Sequence, residues 1–221
     1  MSSRYFIPAL LCAGLLLAIM PVTALAQCGA VADPGFESQA LGSFTGVVSP
    51  QFTAGYWGAE SSTRVGSSAA CPTVSPRTGN FMLEMSDTGG VNTEVWQAIP
   101  VGPDPAGSLS VSAWFTACEG IAPRGVIQVR TYNSLTGWNN PTFNQSVSLT
   151  LDADAATWEQ VVLDCVEIPV DTEWVLVDIQ FPEADLANQP GFVDDVEVLC
   201  NCLPVPTESR SFGTLKALHQ R

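Results

Sequence analysis

The sequence predicts an all-β fold, an antiparallel β-sandwich, on two observations. Apolar residues recur at every second position in short runs, and glycine, proline, asparagine and aspartate separate those runs. Helix-period patterns are nearly absent from the body of the chain. "NFMLEM" (80–85) and "EVWQAIPV" (94–101) begin the series. In "SLSVSAWFTAC" (108–118), Leu109, Val111, Ala113 and Phe115 face one way, and Ser110, Ser112, Trp114 and Thr116 the other. "GVIQVRTYN" (125–133) sets Ile127, Val129 and Thr131 against Gln128, Arg130 and Tyr132. "SVSLTLD" (146–152), "TWEQVVLDCVEI" (157–168), "EWVLVDIQF" (173–181) and "GFVDDVEVLC" (191–200) complete it. Strands of this length and spacing bury one face each against a second sheet. No internal repeat is present, and no linker splits the chain into two large domains.

The two ends differ from this body. Residues 1–26 carry Arg4, the apolar run "IPALLCAGLLLAIM" and a small-residue "TALA", the pattern of a signal peptide cleaved after Ala26. The run is short for a membrane span, and Pro21 follows it. The expectation is a secreted or cell-surface, extracellular protein with no transmembrane segment after cleavage. Residues 27–203 are expected to form the sandwich domain, and residues 204–221 a flexible tail. That tail, "PVPTESRSFGTLKALHQR", is similar to short Gly-x-x-Lys-Ala-Leu tails of some secreted bacterial proteins, which implies a sorting or surface-retention role.

The formal net charge is −14, and between residues 27 and 206 the only basic residues are Arg64, Arg77, Arg124 and Arg130. Nucleic acid and anionic membranes need many phosphate-binding cations, of which this chain has few, so neither is expected as a partner. Neutral sugars or cations fit better. Cleavage leaves Cys28, Cys71, Cys118, Cys165, Cys200 and Cys202, an even set in a secreted context, which points to disulfides. Cys200 and Cys202 would lie roughly 6.6 Å apart along a strand, whereas bridged Cβ atoms sit about 4 Å apart. Each is therefore expected to reach elsewhere. Cys118 with Cys165 is the favoured pair, leaving Cys28 and Cys71 to take Cys200 and Cys202. Sequence alone leaves about 15 connectivities open, and a zinc site is the rival reading.

The chain holds a single histidine, His219, in the tail. Histidine-based acyl-transfer triads are thereby removed from the body. No His-Glu-x-x-His, P-loop or dinucleotide fingerprint occurs, and "DADAATW" (152–158) lacks the glycine and terminal glutamate of an EF-hand. A glycosidase needs only two well-placed acids, and 22 are present, so counting them decides nothing. A surface site remains. Trp114, Gln128, Arg130, Tyr132 and Trp174 are the candidates for a sheet-face site, with Asp178 and Gln180 sharing Trp174's face. Tyr56, Trp57 and Trp138 lie in Gly- or Asn-rich stretches and are candidates for a loop-end site. Rings stack on sugar C–H faces while amides, hydroxyls and carboxylates bond hydroxyl groups. The alternative is an ordinary solvated β face with its tryptophans packed under loops.

The order of segments carries a resemblance. "DPGFES" (33–38), "GYW" (55–57), "SPRTGNFMLEM" (75–85), "VWQAIPV" (95–101), "SLSVSAWF" (108–115), "TWEQVVL" (157–163) and "GFVDDVEV" (191–198) follow one another. Over roughly residues 30 to 200 this resembles the carbohydrate-binding-module jelly rolls of the galactose-binding-like type. The resemblance implies a jelly-roll topology and a non-catalytic role binding a glycan or polysaccharide. A structural or adhesive cell-surface module, within an assembly, is the alternative, and a small glycoside hydrolase a third reading. It also implies a structural calcium joining the first strand to the last through Glu37 and an acid of "VDDV". Strand parity puts Asp194 inward with Phe192, Val196 and Val198, and Asp195 outward with Val193 and Glu197, so Asp194 is the expected ligand. Hydrogen bonds from loop amides are the rival way to satisfy it.

Overall fold

The computed structural model describes residues 29–38, 42–43, 57–59, 63–66, 71–86, 93–101, 107–134, 141–154, 157–186 and 188–200. The expected leader, Cys28, Tyr56, Trp138, Cys202 and the tail lie outside the described residues. The strands are β1 (Gly42–Ser43), β2 (Gly58–Ala59), β3 (Thr63–Gly66), β4 (Met82–Met85), β5 (Thr93–Pro100), β6 (Gly107–Ala117), β7 (Arg124–Tyr132), β8 (Phe143–Thr150), β9 (Glu159–Ile168), β10 (Trp174–Phe181) and β11 (Gly191–Cys200). Among the described residues, the short helix α1 (Glu183–Leu186) lies between β10 and β11. A six-stranded sheet runs β1-β3-β4-β11-β6-β9, and a five-stranded sheet runs β2-β5-β10-β7-β8. Every pairing is antiparallel. The architecture is a jelly-roll β-sandwich braced by a disulfide. No helix among the described residues is long and apolar enough to cross a membrane.

The core lies between the sheets and takes the residues that alternation picks out: Leu109, Val111, Ala113 and Phe115 from β6, Ile127 and Val129 from β7, and Val175, Val177, Ile179 and Phe181 from β10. Two phenylalanines lock it. Phe115 on β6 reaches across to Gly125 on β7, where a Cβ would lie 2.7 Å from the ring. Phe181 on β10 reaches back to Gly191 on β11, where a Cβ would lie 2.6 Å from the ring. The rings meet edge to face at 5.5 Å. Each sheet thus leaves a glycine where the other sends a ring.

The segment before β1 ties the sheets together. Gly29 donates its amide to the Pro100 carbonyl (3.0 Å), and the Val196 amide donates to the Pro34 carbonyl (2.9 Å). Gln97 faces inward on β5 and is buried, a costly place for an amide. It is satisfied on both sides by Ala32, accepting from its N–H (2.7 Å) and donating to its carbonyl (3.0 Å). Phe36 of "DPGFES" is fully buried in the core.

Two expectations are corrected. Cys118 pairs with Cys71, Cα–Cα 5.6 Å, and not with Cys165. Cys71 consequently takes neither Cys200 nor Cys202. The reason is that Cys118 stands just past the end of β6 on the sheet's outer side, where residues 71–81 cross. There Cys71, Val74, Met82, Cys118 and Phe192 form an apolar cluster of their own. Cys165 and Cys200 are also disulfide-bonded. The parity of β11 is the second correction. Its register with β6 shifts between Asp194 and Glu197, with Asp195 at φ 46°. Val193 and Val196 enter the main core, while Phe192 and Asp194 lie on the outer side of the six-stranded sheet.

Candidate functional site

The outer face of the five-stranded sheet is built row by row from the register. Trp174 on β10 stands between Pro100 on β5 and Tyr132 on β7. In the next row Leu176 stands between Ala98 and Arg130, with Asn144 of β8 beyond. Asp178 follows between Trp96 and Gln128, with Ser146 beyond, and then Gln180 between Glu94 and Val126. Trp96, Ala98, Tyr132 and Leu176 form an apolar cluster on this face, with the partly exposed Trp174 packed against it. The Trp96 ring lies over β2, where a Cβ on Gly58 would overlap its indole Nε1, so only glycine fits.

A charged pair sits among these rings. Arg130 donates to the Asp178 carboxylate, which has no exposed surface. The Gln180 amide nitrogen lies 3.0 Å from Asp178 Oδ2, 3.3 Å from Gln128 Oε1 and 3.3 Å from Glu94 Oε2. Burial pushes the Tyr132 phenol above its ordinary value, and the Arg130 charge pulls it back. Among the described residues, the exposed aromatic surface of this face is therefore Trp174 alone: Trp96 (6% exposed) and Tyr132 (1% exposed) are buried, so Tyr132, expected as a binding ring, packs in the cluster instead, and amide groups and the hydroxyl of Ser146 lie along the side of the ion pair.

Four of the five sheet-face candidates, Gln128, Arg130, Tyr132 and Trp174, come together here. Trp114 does not, because it lies on the outer side of the other sheet opposite Asp194. The Arg77 guanidinium covers its ring, 3.8 Å from the centroid. Trp57 is no loop-end surface residue either. It is 4% exposed, packs on Phe36 at 5.3 Å, and donates its indole N–H to the Asp33 carbonyl (3.1 Å). Trp96 and Glu94 belong to the face and were missed as candidates. The alternation of "EVWQAIPV" could have found them, since it separates Glu94 and Trp96 from Val95 and Ile99.

The expected calcium residues form a second constellation, a carboxylate clamp on residues 77–81. Asp194 Oδ2 accepts the amides of Arg77 (2.9 Å) and Thr78 (3.3 Å), and its Oδ1 accepts the amide of Asp195 (2.8 Å). Asp195 pairs with the Arg77 guanidinium and accepts the Thr78 hydroxyl (2.7 Å). Glu37 Oε1 accepts the amides of Asn80 (2.8 Å) and Phe81 (2.9 Å). A Cβ on Gly79, at φ 63°, would fall on the Glu37 carboxylate. Burial raises Asp194 to about 6, against its amide hydrogen bonds. Glu37 is lowered, first by the Phe81 amide. Among the described residues no group of three or more His, Cys, Asp or Glu side chains is arranged to hold a metal ion. The clamp's oxygens are instead met by the chain's own N–H groups, and Arg77 supplies the positive charge.

No protein-family model matches this sequence, and no curated protein matches it. Solved structures do. The stig cyclase Fisc from Fischerella sp. TAU, in complex with (3Z)-3-(1-methyl-2-pyrrolidinylidene)-3H-indole, superposes with a TM-score of 0.54 at 10% identity over 79% of this chain and 98% of that one. The arabinose-bound α-L-arabinofuranosidase MgGH51 gives 0.51 at 12% identity over 79% of this chain but only 27% of that one. TmCBM61 in complex with β-1,4-galactotriose gives 0.46 at 18% identity over 75% of this chain and 94% of that one. At such identities the likeness is one of fold.

Proposed function

We propose that this chain is a secreted, non-catalytic glycan-binding module whose site is the outer face of the five-stranded sheet. The observation that carries the reading is the single face on which Trp174, Tyr132, Trp96, Arg130, Gln128 and Gln180 converge. A sugar stacks on the partly exposed Trp174, and Gln128, Arg130 and the β8 side chains bond its hydroxyls. The secreted setting is supported by the leader pattern and by the Cys71–Cys118 disulfide. Catalysis is disfavoured because Asp178 is already held by Arg130 and Gln180.

A glycan array followed by calorimetry tests this. Trp174→Ala is expected to weaken binding about tenfold, or ~1.4 kcal/mol. Trp114→Ala, on the opposite sheet, is expected to leave affinity unchanged. A second reading, a structural or adhesive module, draws on the burial of Trp57 and Trp96, 4% and 6% exposed. A folded protein that binds no glycan would leave that reading standing.

We further propose that the clamp works without calcium, because amides already satisfy Asp194 and Glu37 and Arg77 faces Asp195. The expected result is one thermal midpoint in excess calcium and in excess chelator. A midpoint raised by calcium would mean the ion displaces these donors and binds Glu37 and Asp194.

A further inference from the structure

We propose that Cys165 is bonded to Cys202 and Cys200 to Cys28, so that both ends of the folded body are tied to the six-stranded sheet, from opposite sides. Cys165 and Cys200 are each disulfide-bonded, but not to each other. The sheet runs β11-β6-β9, so β6 lies between the strands that carry them. Leu109 of β6 has Cys200 on one side and Val166 on the other. Two strand spacings come to roughly 9–10 Å, whereas bridged Cα atoms lie no more than about 7 Å apart. Cys71 and Cys118 are taken by their own bond, and Cys12 belongs to the expected leader. Cys28 and Cys202 remain as the partners.

The side each cysteine faces decides which partner it takes. Cys200 packs against the main core, as Val31 of the N-terminal segment does. That segment and β11 are in direct contact through the Val196 amide and the Pro34 carbonyl, and Gly29 sits on the Pro100 carbonyl. Pro100 closes β5 shortly before β6 opens at Gly107, and Cys200 pairs with Leu109 near that opening. Cys28, the residue before Gly29, therefore comes to the same end of the sandwich as Cys200. Cys165 faces the other way. Leu163 and Val166 both enter the core, and the register of β9 with β6 shifts between them. Asp164 and Cys165 thus stand together on the outer side, opposite Ser110. β9 also packs under β7 and β8, and β10 separates these from β5. With the sheets roughly 10 Å apart, Cys28 beside β5 is out of reach of Cys165. Cys202, just past the end of β11, is the partner left to it.

Each bond forms as two thiols give up their protons and two electrons to a protein disulfide in the secreted setting, which is reduced to a dithiol in turn. Cys28–Cys200 holds the segment whose Ala32 satisfies the buried Gln97 and whose Phe36 fills the core. Cys165–Cys202 crosses β6 and makes the chain leave the sandwich on the outer face of the six-stranded sheet. Anything joined to residues 203–221 then lies on the far side from Trp174, a consequence that rests on the proposed function while the pairing does not.

Disulfide mapping tests it on the full chain, exported into an oxidising compartment, then denatured with iodoacetamide and no reductant, digested and read by mass spectrometry. The peptides of Cys28 and Cys165 are each expected to be joined to the one holding Cys200 and Cys202, with neither alkylated. Electron-transfer fragmentation between Cys200 and Cys202 then assigns the two bonds in the wild type. Cys202→Ser is expected to add one label, on Cys165, and Cys200→Ser one label, on Cys28. A direct Cys28–Cys165 link with Cys200 bonded to Cys202 would overturn the proposal. So would a label on Cys28 in Cys202→Ser, or wild-type fragments that join Cys28 to Cys202.

Discussion

Replacing Arg130 with alanine is expected to cost about 3–5 kcal/mol of folding stability, seen as a lower guanidinium midpoint with an unchanged m-value. Asp178 has no exposed surface, and Arg130 is the cation that faces it. The Gln180 amide stays, but a neutral donor does not offset a buried carboxylate charge. In a chain of this size the thermal midpoint falls on the order of 10 °C. Arg130→Lys keeps the charge and loses the planar fork, so it is expected to fall between wild type and alanine. The double change Arg130→Met with Asp178→Leu should recover most of the loss, because apolar side chains of similar volume can replace a buried pair at little net cost. A double variant as unstable as Arg130→Ala would mean the pair holds the face through geometry that packing cannot replace. This fold loss also separates Arg130 from Trp174, whose removal should touch binding first.

What the sequence made legible follows from which forces act locally. Alternation is local, so Leu109 through Phe115 and Val175 through Phe181 could be placed on the core side before any pairing was known. Alternation also said that Trp114 and Tyr132 face away from the core, which is true of both. It could not say that their strands, β6 and β7, lie in different sheets, and that is why Trp114 left the site. The bulge at Asp195 has no period to announce it, and one added residue moved Asp194 to the other side of the sheet. The cysteines failed for a related reason. Cys118 and Cys165 both read as strand residues, but Cys118 lies beyond its strand, where Cys71 arrives along residues 71–81. The acid pair, by contrast, was legible as a demand: a buried Asp194 needed donors, and the structure supplies loop amides.

That clamp should also give the protein an unusual pH profile, because its carboxylates pull in opposite directions. Asp194 is raised from 3.8 to about 6, chiefly by burial, with the Asp195 charge adding to the rise. The folded protein thus holds this proton more tightly than the unfolded chain does. Its favourable contribution is complete below pH ~3.8 and is lost as pH rises towards ~6, a change of about 3 kcal/mol. Glu37 is lowered below 4.5 by the Phe81 amide, so its contribution is present above that value and is lost as pH falls. Urea denaturation between pH 3 and 7, in chelator, separates the two. Asp194→Asn turns an amide towards one of the N–H donors that Asp194 now accepts, so it carries a pH-independent loss of about one hydrogen bond. Relative to that variant, wild type should lose about 3 kcal/mol between pH 4 and 7. Relative to Glu37→Gln, wild type should lose its advantage only below about pH 4.5. A wild-type minus Asp194→Asn difference that stays flat would mean the amides of Arg77, Thr78 and Asp195 outweigh burial. Asp194 would then be an ordinary ionised cap, and residues 77–81 would be held with the same strength across the whole range.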